Sequence, residues 1–218
     1  SSPLDQLQPK LQTRHYAKPG DALPQYYPVI CNIETNKLFE VDKQLVDNQF
    51  SLGYVSWRQD SKSVTFEYNK RGHQQYAVVN LDAENGESKY IINEVSNTFI
   101  DYSGKKYRYD VNDGKEIIWA SERDGWNHLY RIDGESGQVL NQITKGDWVV
   151  RKVVNVDEKN RQIIFEGSGK NKNQDPYLIH YYKVDFDGKN LRELTREDAN
   201  HTAYFNADHS YFIDQYSL

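Results

Sequence analysis

The chain has 218 residues, enough for one large domain or two small ones with a proper core, and 13% of them are aromatic. A net charge of −5 with both signs interspersed and no basic stripe argues against nucleic-acid binding; Lys70-Arg71 and Arg151-Lys152 read as solvated loop pairs. No run of 18 apolar residues exists, so no segment reads as a membrane span, and a single cysteine, Cys31, excludes an intramolecular disulfide framework.

Residues 1–24 carry Pro3, Pro9, Pro19 and Pro24 and no sustained period, which predicts an extended lead-in with a turn at Lys18-Pro-Gly-Asp21. Residues 26–33 and 37–41 predict a hairpin around Glu34-Thr-Asn36, the back half of a unit whose front half is absent. Cys31 falls in the apolar run Pro28-Val-Ile-Cys-Asn-Ile33 and reads as a small buried hydrophobe. One full unit spans 54–93, with strands at 54–58, 63–69, 75–81 and 87–92; alternation in Ser63-Val-Thr-Phe-Glu-Tyr68 marks the second as half buried. The next unit spans 99–144, with strands at 107–111, 116–121, 128–133 and 138–144. A third spans 149–195, with strands at 149–156, 162–166, 177–185 and 190–195, and 203–218 begins another.

These units repeat. Gly86, Gly137 and Gly188 stand 51 residues apart in hairpins preceded by Asp82, Asp133 and Asp185. The front half repeats as well: Trp57-Arg-Gln-Asp60-Ser-Lys-Ser-Val-Thr-Phe66 recurs as Tyr109-Asp-Val-Asn-Asp113-Gly-Lys-Glu-Ile-Ile-Trp119. It recurs again as Val156-Asp157-Glu-Lys-Asn-Arg-Gln-Ile-Ile-Phe165 and as Phe205-Asn-Ala-Asp208-His-Ser-Tyr-Phe-Ile213. Four strands at a period of about fifty residues mark a β-propeller blade. The fold class is therefore all-β: a propeller fragment over 25–218, about four blades of four-stranded antiparallel sheets. A chain starting Ser-Ser-Pro without Met reads as an excised piece, and broken blades at both ends would invite pairing with a second copy as a homodimer.

Tight turns collect on one side of such a ring and longer loops on the other, where function is sought. Asp185-Phe-Asp187-Gly188 has a faint likeness to a calcium loop but lacks its remaining ligands, so a Gly hairpin is the better reading. Gly167-Ser-Gly-Lys170 lacks phosphate-loop spacing and reads as a flexible loop. His15, His73, His128, His180, His201 and His209 are scattered without metal-ligand spacing, so no metal is expected, and no cofactor motif is present. No Gly-x-Ser-x-Gly elbow exists, so no catalytic residue is assigned. Asn200-His-Thr202 is a formal glycosylation acceptor.

Longer stretches carry a family likeness. Glu116-Ile-Ile-Trp-Ala-Ser-Glu-Arg-Asp-Gly-Trp-Asn-His-Leu-Tyr130 and Gln142-Ile-Thr-Lys-Gly-Asp-Trp-Val-Val150 resemble the propeller of the dipeptidyl peptidase IV family, serine peptidases of the prolyl oligopeptidase clan. Asp175-Pro-Tyr-Leu-Ile-His-Tyr-Tyr182, Asp198-Ala-Asn-His-Thr202 and Trp57-Arg-Gln-Asp-Ser61 are similar to its bacterial members, and the likeness runs from about Lys10 to the end. The resemblance implies an eight-bladed ring followed by an α/β-hydrolase domain that carries the serine, aspartate and histidine. This chain would then be the non-catalytic propeller portion, gating and helping to bind peptide N-termini in a periplasmic or extracellular enzyme. The glutamate pair that holds the substrate amine, and the anion-binding arginine, would lie upstream.

Within that resemblance, Thr98-Phe-Ile-Asp-Tyr102 is similar to a stretch lining the outer substrate cavity, which nominates Asp101 and Tyr102 as substrate-facing. The competing reading makes Phe99 and Tyr102 blade-packing aromatics. Arg123-Asp-Gly-Trp-Asn-His128 reads as packing and turn geometry. Two alternatives stay open: a stand-alone propeller interaction module, and a glycosidase or lyase propeller using Asp101, Asp124 and Asp147.

Overall fold

The structure, a computed structural model, describes residues 3–217. Its strands pair antiparallel with their sequence neighbours into five separate sheets. The first holds β1 (Val29–Cys31) and β2 (Leu38–Glu40), and the second β3 (Gln49–Trp57), β4 (Ser63–Lys70), β5 (Gln75–Asp82) and β6 (Ser88–Val95). The third holds β7 (Arg108–Val111), β8 (Glu116–Ser121), β9 (His128–Asp133) and β10 (Val139–Gln142). The fourth holds β11 (Val149–Asp157), β12 (Gln162–Ser168), β13 (His180–Asp185) and β14 (Arg192–Glu193), and the fifth β15 (Asn200–Phe205) and β16 (Phe212–Ser217).

The middle strands of each four-stranded sheet are buried on both faces, and the two-residue alternation of a strand sends successive side chains to opposite neighbours. Phe66 and Tyr68 of β4, with Ala77, Val79 and Leu81 of β5, pack on Ile30, Phe39 and Val41 of the first hairpin. The opposite face of the second sheet offers Tyr76, Val78, Ile91 and Ile92 to Ile117, Trp119, Tyr130 and Ile132 of the third. From the other side of the third sheet, Ile118, Ala120 and Leu129 join Trp148, Val150, Phe165 and Tyr182. Each of the larger aliphatic side chains and Phe contributes about 2 kcal/mol through burial. The junctions, rather than one central core, hold the sheets in sequence as stacked blades.

The repeated glycines have one structural cause. Gly86, Gly137 and Gly188 adopt φ of 81°, 73° and 82°, the left-handed region that costs other residues energy. A Cβ on Gly86 would meet Phe39 Cδ1 at 2.5 Å, one on Gly137 the Ile91 carbonyl oxygen at 2.2 Å, and one on Gly188 the Ile143 carbonyl oxygen at 3.0 Å. In every case the neighbour belongs to the preceding sheet or the residue just after its last strand. The period therefore records how each hairpin seats on the blade before it. The hairpin reading of Asp185-Phe-Asp187-Gly188 is observed, with the Gly188 amide donating to the Asp185 carbonyl at 2.9 Å.

Charge reinforces the junctions. The Gln59 amide donates to Asp113 in the next sheet's first turn, and the Asn112 amide donates to Glu158 in the one after. Arg108 makes a two-point contact with Asp110, both at 2.7 Å, and Arg58 reaches the same carboxylate from the second sheet at 2.6 Å. Burial pushes the Asp110 carboxyl up, but the two guanidiniums overcome it and hold the group below the usual carboxylate range.

Some local expectations fail. Cys31 is exposed: Ile30 takes the inward position of β1, and alternation turns its successor to solvent. Gly167 and Ser168 continue β12 and are buried, because Gly167 packs under Tyr182 and Trp148. β3 begins at Gln49, ahead of the expected start, with a bulge that leaves Tyr54 at φ 53°. A short 3-10 helix, Lys43–Val46, was not foreseen; Asp42 caps it by accepting from the Gln44 amide at 2.9 Å. Among the described residues no helix is long and apolar enough to cross a membrane.

Candidate functional site

Sequential antiparallel pairing puts the β4–β5 loop, the β8–β9 loop and the links between sheets at one end of the stack. The link from β6 to β7 is tied down there: the Ser96 amide donates to the Gln74 carbonyl at 2.9 Å and the Ile100 amide to the His73 carbonyl at 2.8 Å. Beneath it lies a cavity of about 200 Å³ between the second and third sheets, lined by Tyr76, Glu94, Phe99, Asp101, Lys105, Lys106, Trp119, Glu122 and Arg123.

Glu94, near the end of β6, is the anchor of this cavity. Its carboxylate accepts from Ser121 Oγ at 2.6 Å, from Arg123 Nη2 at 2.6 Å and from Trp119 Nε1 at 3.2 Å. Arg123 also lies over the Tyr130 ring at 4.6 Å, and Lys105 pairs with Glu122 at 2.6 Å. A second carboxylate, Glu67, is buried alongside; it accepts from Tyr76 Oη at 2.5 Å and from Lys106 Nζ. Burial first, then the bond to Glu67, keeps the Tyr76 hydroxyl protonated well above the ordinary tyrosine range. The Lys106 ammonium also lies over the exposed ring of Tyr54 at 4.0 Å. Fixed carboxylates and cations beside aromatic faces suit a flexible chain carrying both polar termini and side chains.

The two nominated residues part company. Asp101 lines the cavity, but its Oδ1 accepts from the Gly104 amide at 2.8 Å and from the Ser103 amide and hydroxyl at 3.2 Å. The Gly104 amide is the main cause holding the Asp101 carboxyl below the usual range. Tyr102 instead stacks on His73, with centroids 4.5 Å apart, beside Phe50 and Phe99. Asp124 accepts from Gln142 Nε2 at 2.5 Å, Asp147 is exposed, and neither lines the cavity. Sequence reasoning missed Glu94, Lys105, Lys106 and Arg123. Arg123 sat in a motif read as turn geometry, and its ion pair to Glu94 spans two sheets.

The histidines are also less scattered in space than in sequence. His180 and His201 bring their ring centroids within 5.0 Å, and donor atoms of Glu197, His201 and Asp214 all lie within 4.8 Å of one another. The expectation of no metal came from spacing along the chain, which does not display this grouping.

A family model described as the dipeptidyl peptidase IV (DPP IV) N-terminal region matches residues 2–218. Proteins named dipeptidyl peptidase 4 from Trichophyton equinum and Trichophyton rubrum are each 28% identical over 184 residues, covering 78% of this chain. The match takes in only 22% of each relative's length. Among solved structures, Porphyromonas gingivalis dipeptidyl peptidase 4 superposes with a TM-score of 0.64 at 18% identity, over 87% of this chain and 26% of that one. A putative dipeptidyl aminopeptidase IV from Bacteroides ovatus gives 0.61 at 20% identity, over 88% and 29%. These likenesses establish the propeller fold.

Proposed function

The chain belongs to the dipeptidyl peptidase IV N-terminal region family, and from that premise we propose that it is the non-catalytic propeller portion of a dipeptidyl peptidase IV-like serine exopeptidase. It gates access to a hydrolase domain elsewhere in the protein and helps to bind peptide N-termini. Hydrolysis belongs to that domain: its serine attacks the scissile carbonyl, activated by histidine and aspartate. The ring of blades excludes folded proteins and adds binding energy remote from the reacting bond. A periplasmic or extracellular setting suits such a peptidase.

The observation that carries this reading is the cavity between the second and third sheets, where Glu94 and Arg123 are locked together beside Trp119 and Phe99. It offers a passing peptide both signs of charge and an apolar wall. Exposed apolar side chains on the two-stranded sheets, such as Leu38 in the first and Ile213 in the last, suit cover by further blades or by a second copy. Light scattering on the purified chain separates a monomer from a homodimer.

The deciding experiment compares the full-length protein with its Arg123→Ala variant on a Xaa-Pro chromogenic dipeptide and on longer peptides. Losing a charged hydrogen-bonding group raises KM for longer peptides by about tenfold. The value of kcat and the dipeptide kinetics stay unchanged. The isolated chain hydrolyses neither substrate. Hydrolysis by the isolated chain, or an equal effect of Arg123→Ala on both substrates, overturns the reading.

A further inference from the structure

Where β9 and β13 begin, two successive sheets carry a similar cassette with different partners. In the third sheet, Thr144 Oγ1 donates to His128 Nδ1 at 3.0 Å, and His128 Nε2 donates to the Gly146 carbonyl at 2.9 Å. Both ring nitrogens have a partner. One period later stand His180, Thr195 and Glu197. The Glu197 carbonyl, however, is taken: His201 Nε2 donates to it at 3.0 Å. The Nε2 of His180 is buried without a hydrogen-bond partner among the described residues.

The surroundings of His201 are those of a metal ligand, and His180 stands beside it. A ligand histidine characteristically donates its second N–H to a carbonyl or carboxylate, which fixes the tautomer and leaves the other nitrogen's lone pair free. His201 does so through Nε2 and the Glu197 carbonyl. Its Nδ1 lone pair then faces the Asp214 carboxylate oxygens at 2.9 and 3.0 Å, a repulsive contact unless a cation or a second proton intervenes. His180 does so through Nδ1, which donates to Glu193 Oε1 at 3.0 Å and leaves Nε2 free. The Glu197 carboxylate completes the group, reachable from solvent, while both histidines are buried.

We propose that Glu197, His201 and Asp214 bind a divalent transition-metal ion, zinc by preference, with the buried ring of His180 beside them, 5.0 Å from the His201 ring between centroids. One imidazole and two carboxylates make three protein ligands and leave a fourth position open, a nitrogen and oxygen set of the kind zinc accepts. The ion ties the link that follows β14, through Glu197, to His201 of β15 and Asp214 of β16.

The test uses the purified chain, free of any polyhistidine tag and stripped with chelator, titrated with zinc against a chromophoric competitor. Wild type binds one ion per chain, and its thermal midpoint rises on zinc addition. Asp214→Asn abolishes both effects, and His180→Ala weakens binding about tenfold or more. Cobalt added to wild type gives the absorption bands of a tetrahedral site, a readout that does not depend on any variant folding. Three results each overturn the proposal. They are the absence of stoichiometric binding, binding unchanged by Asp214→Asn in a folded variant, and nitrogen NMR showing both His201 ring nitrogens protonated in the presence of zinc.

Discussion

Substituting alanine at the repeated glycines separates two costs that the structure predicts to differ from blade to blade. Gly72 and Gly125 serve as references: they adopt φ of 94° and 96°, and a Cβ on either meets nothing within 4 Å. Alanine there costs only the left-handed backbone, about 1 kcal/mol. Gly137 has the same backbone requirement, but its Cβ would sit 2.2 Å from the Ile91 carbonyl oxygen, which belongs to β6 and cannot rotate away. Forcing that strand back adds roughly 1–3 kcal/mol, so Gly137→Ala loses about 2–4 kcal/mol in all. At Gly86 the first obstacle is the Phe39 ring, which can shift, and at Gly188 the nearest contact is 3.0 Å. Both variants should fall between Gly137→Ala and the references. The assay is urea unfolding followed by the fluorescence of Trp119 and Trp148, which are buried on either side of the third sheet. For a chain of this size each kcal/mol also moves the thermal midpoint by about 2–4 °C. If Gly137→Ala matches Gly72→Ala within about 0.5 kcal/mol, the glycine period reflects turn geometry alone and the packing argument fails.

Glu67→Gln should lose about 3 kcal/mol in the same assay, because it leaves the largely buried Lys106 without its carboxylate, whereas Arg108 keeps Asp110. Burial lowers the pKa of His73 below its ordinary 6.5, so the fold favours the neutral ring over the unfolded chain. That contribution is complete above pH 6.5 and is lost as pH falls through the depressed value, loosening the stack on Tyr102. Proton NMR of the His73 ring from pH 7 to pH 5 checks this, and titration at or above 6.5 would contradict it. Burial, then the neighbouring Tyr109, pushes the Tyr107 hydroxyl up to about 12, so its phenolate should appear in ultraviolet absorbance only near that pH. Replacing Tyr107 with Phe should remove that late step.

What the residues disclosed divides by distance along the chain. Hairpins were legible because their determinants are local: an Asp, a Gly at positive φ and two alternating strands within about a dozen residues. Strand ends were less so, since β3 gains its early start from pairing with the end of β4, and β14 shrinks to Arg192–Glu193. The cavity was mostly illegible. Glu94 and Arg123 belong to different sheets, and nothing in the alternation of β6 distinguishes Glu94 from an ordinary exposed glutamate. Family likeness nominated Asp101 and Tyr102 together, but the structure puts Asp101 at the cavity wall and Tyr102 in the His73 stack.

The repeat itself supplies a way to find such groups. A position that every blade shares is explained by what every blade needs, namely a turn, a buried strand face and a seat for the next hairpin. Function is then sought where corresponding positions stop agreeing. His128 and His180 occupy the same place, yet one is satisfied and the other is not, because His201 takes the carbonyl that the repeat would have offered. The links differ in the same sense. Between the third and fourth sheets the crossing from Gln142 to Val149 is short and filled by Trp148, whereas the crossing from Val95 to Arg108 is longer and encloses a cavity. This added length of chain packs Ile100 and Tyr102 against the junction and carries Asp101, Lys105 and Lys106 over an opening. The space it roofs is what sets this link apart from the short, filled one.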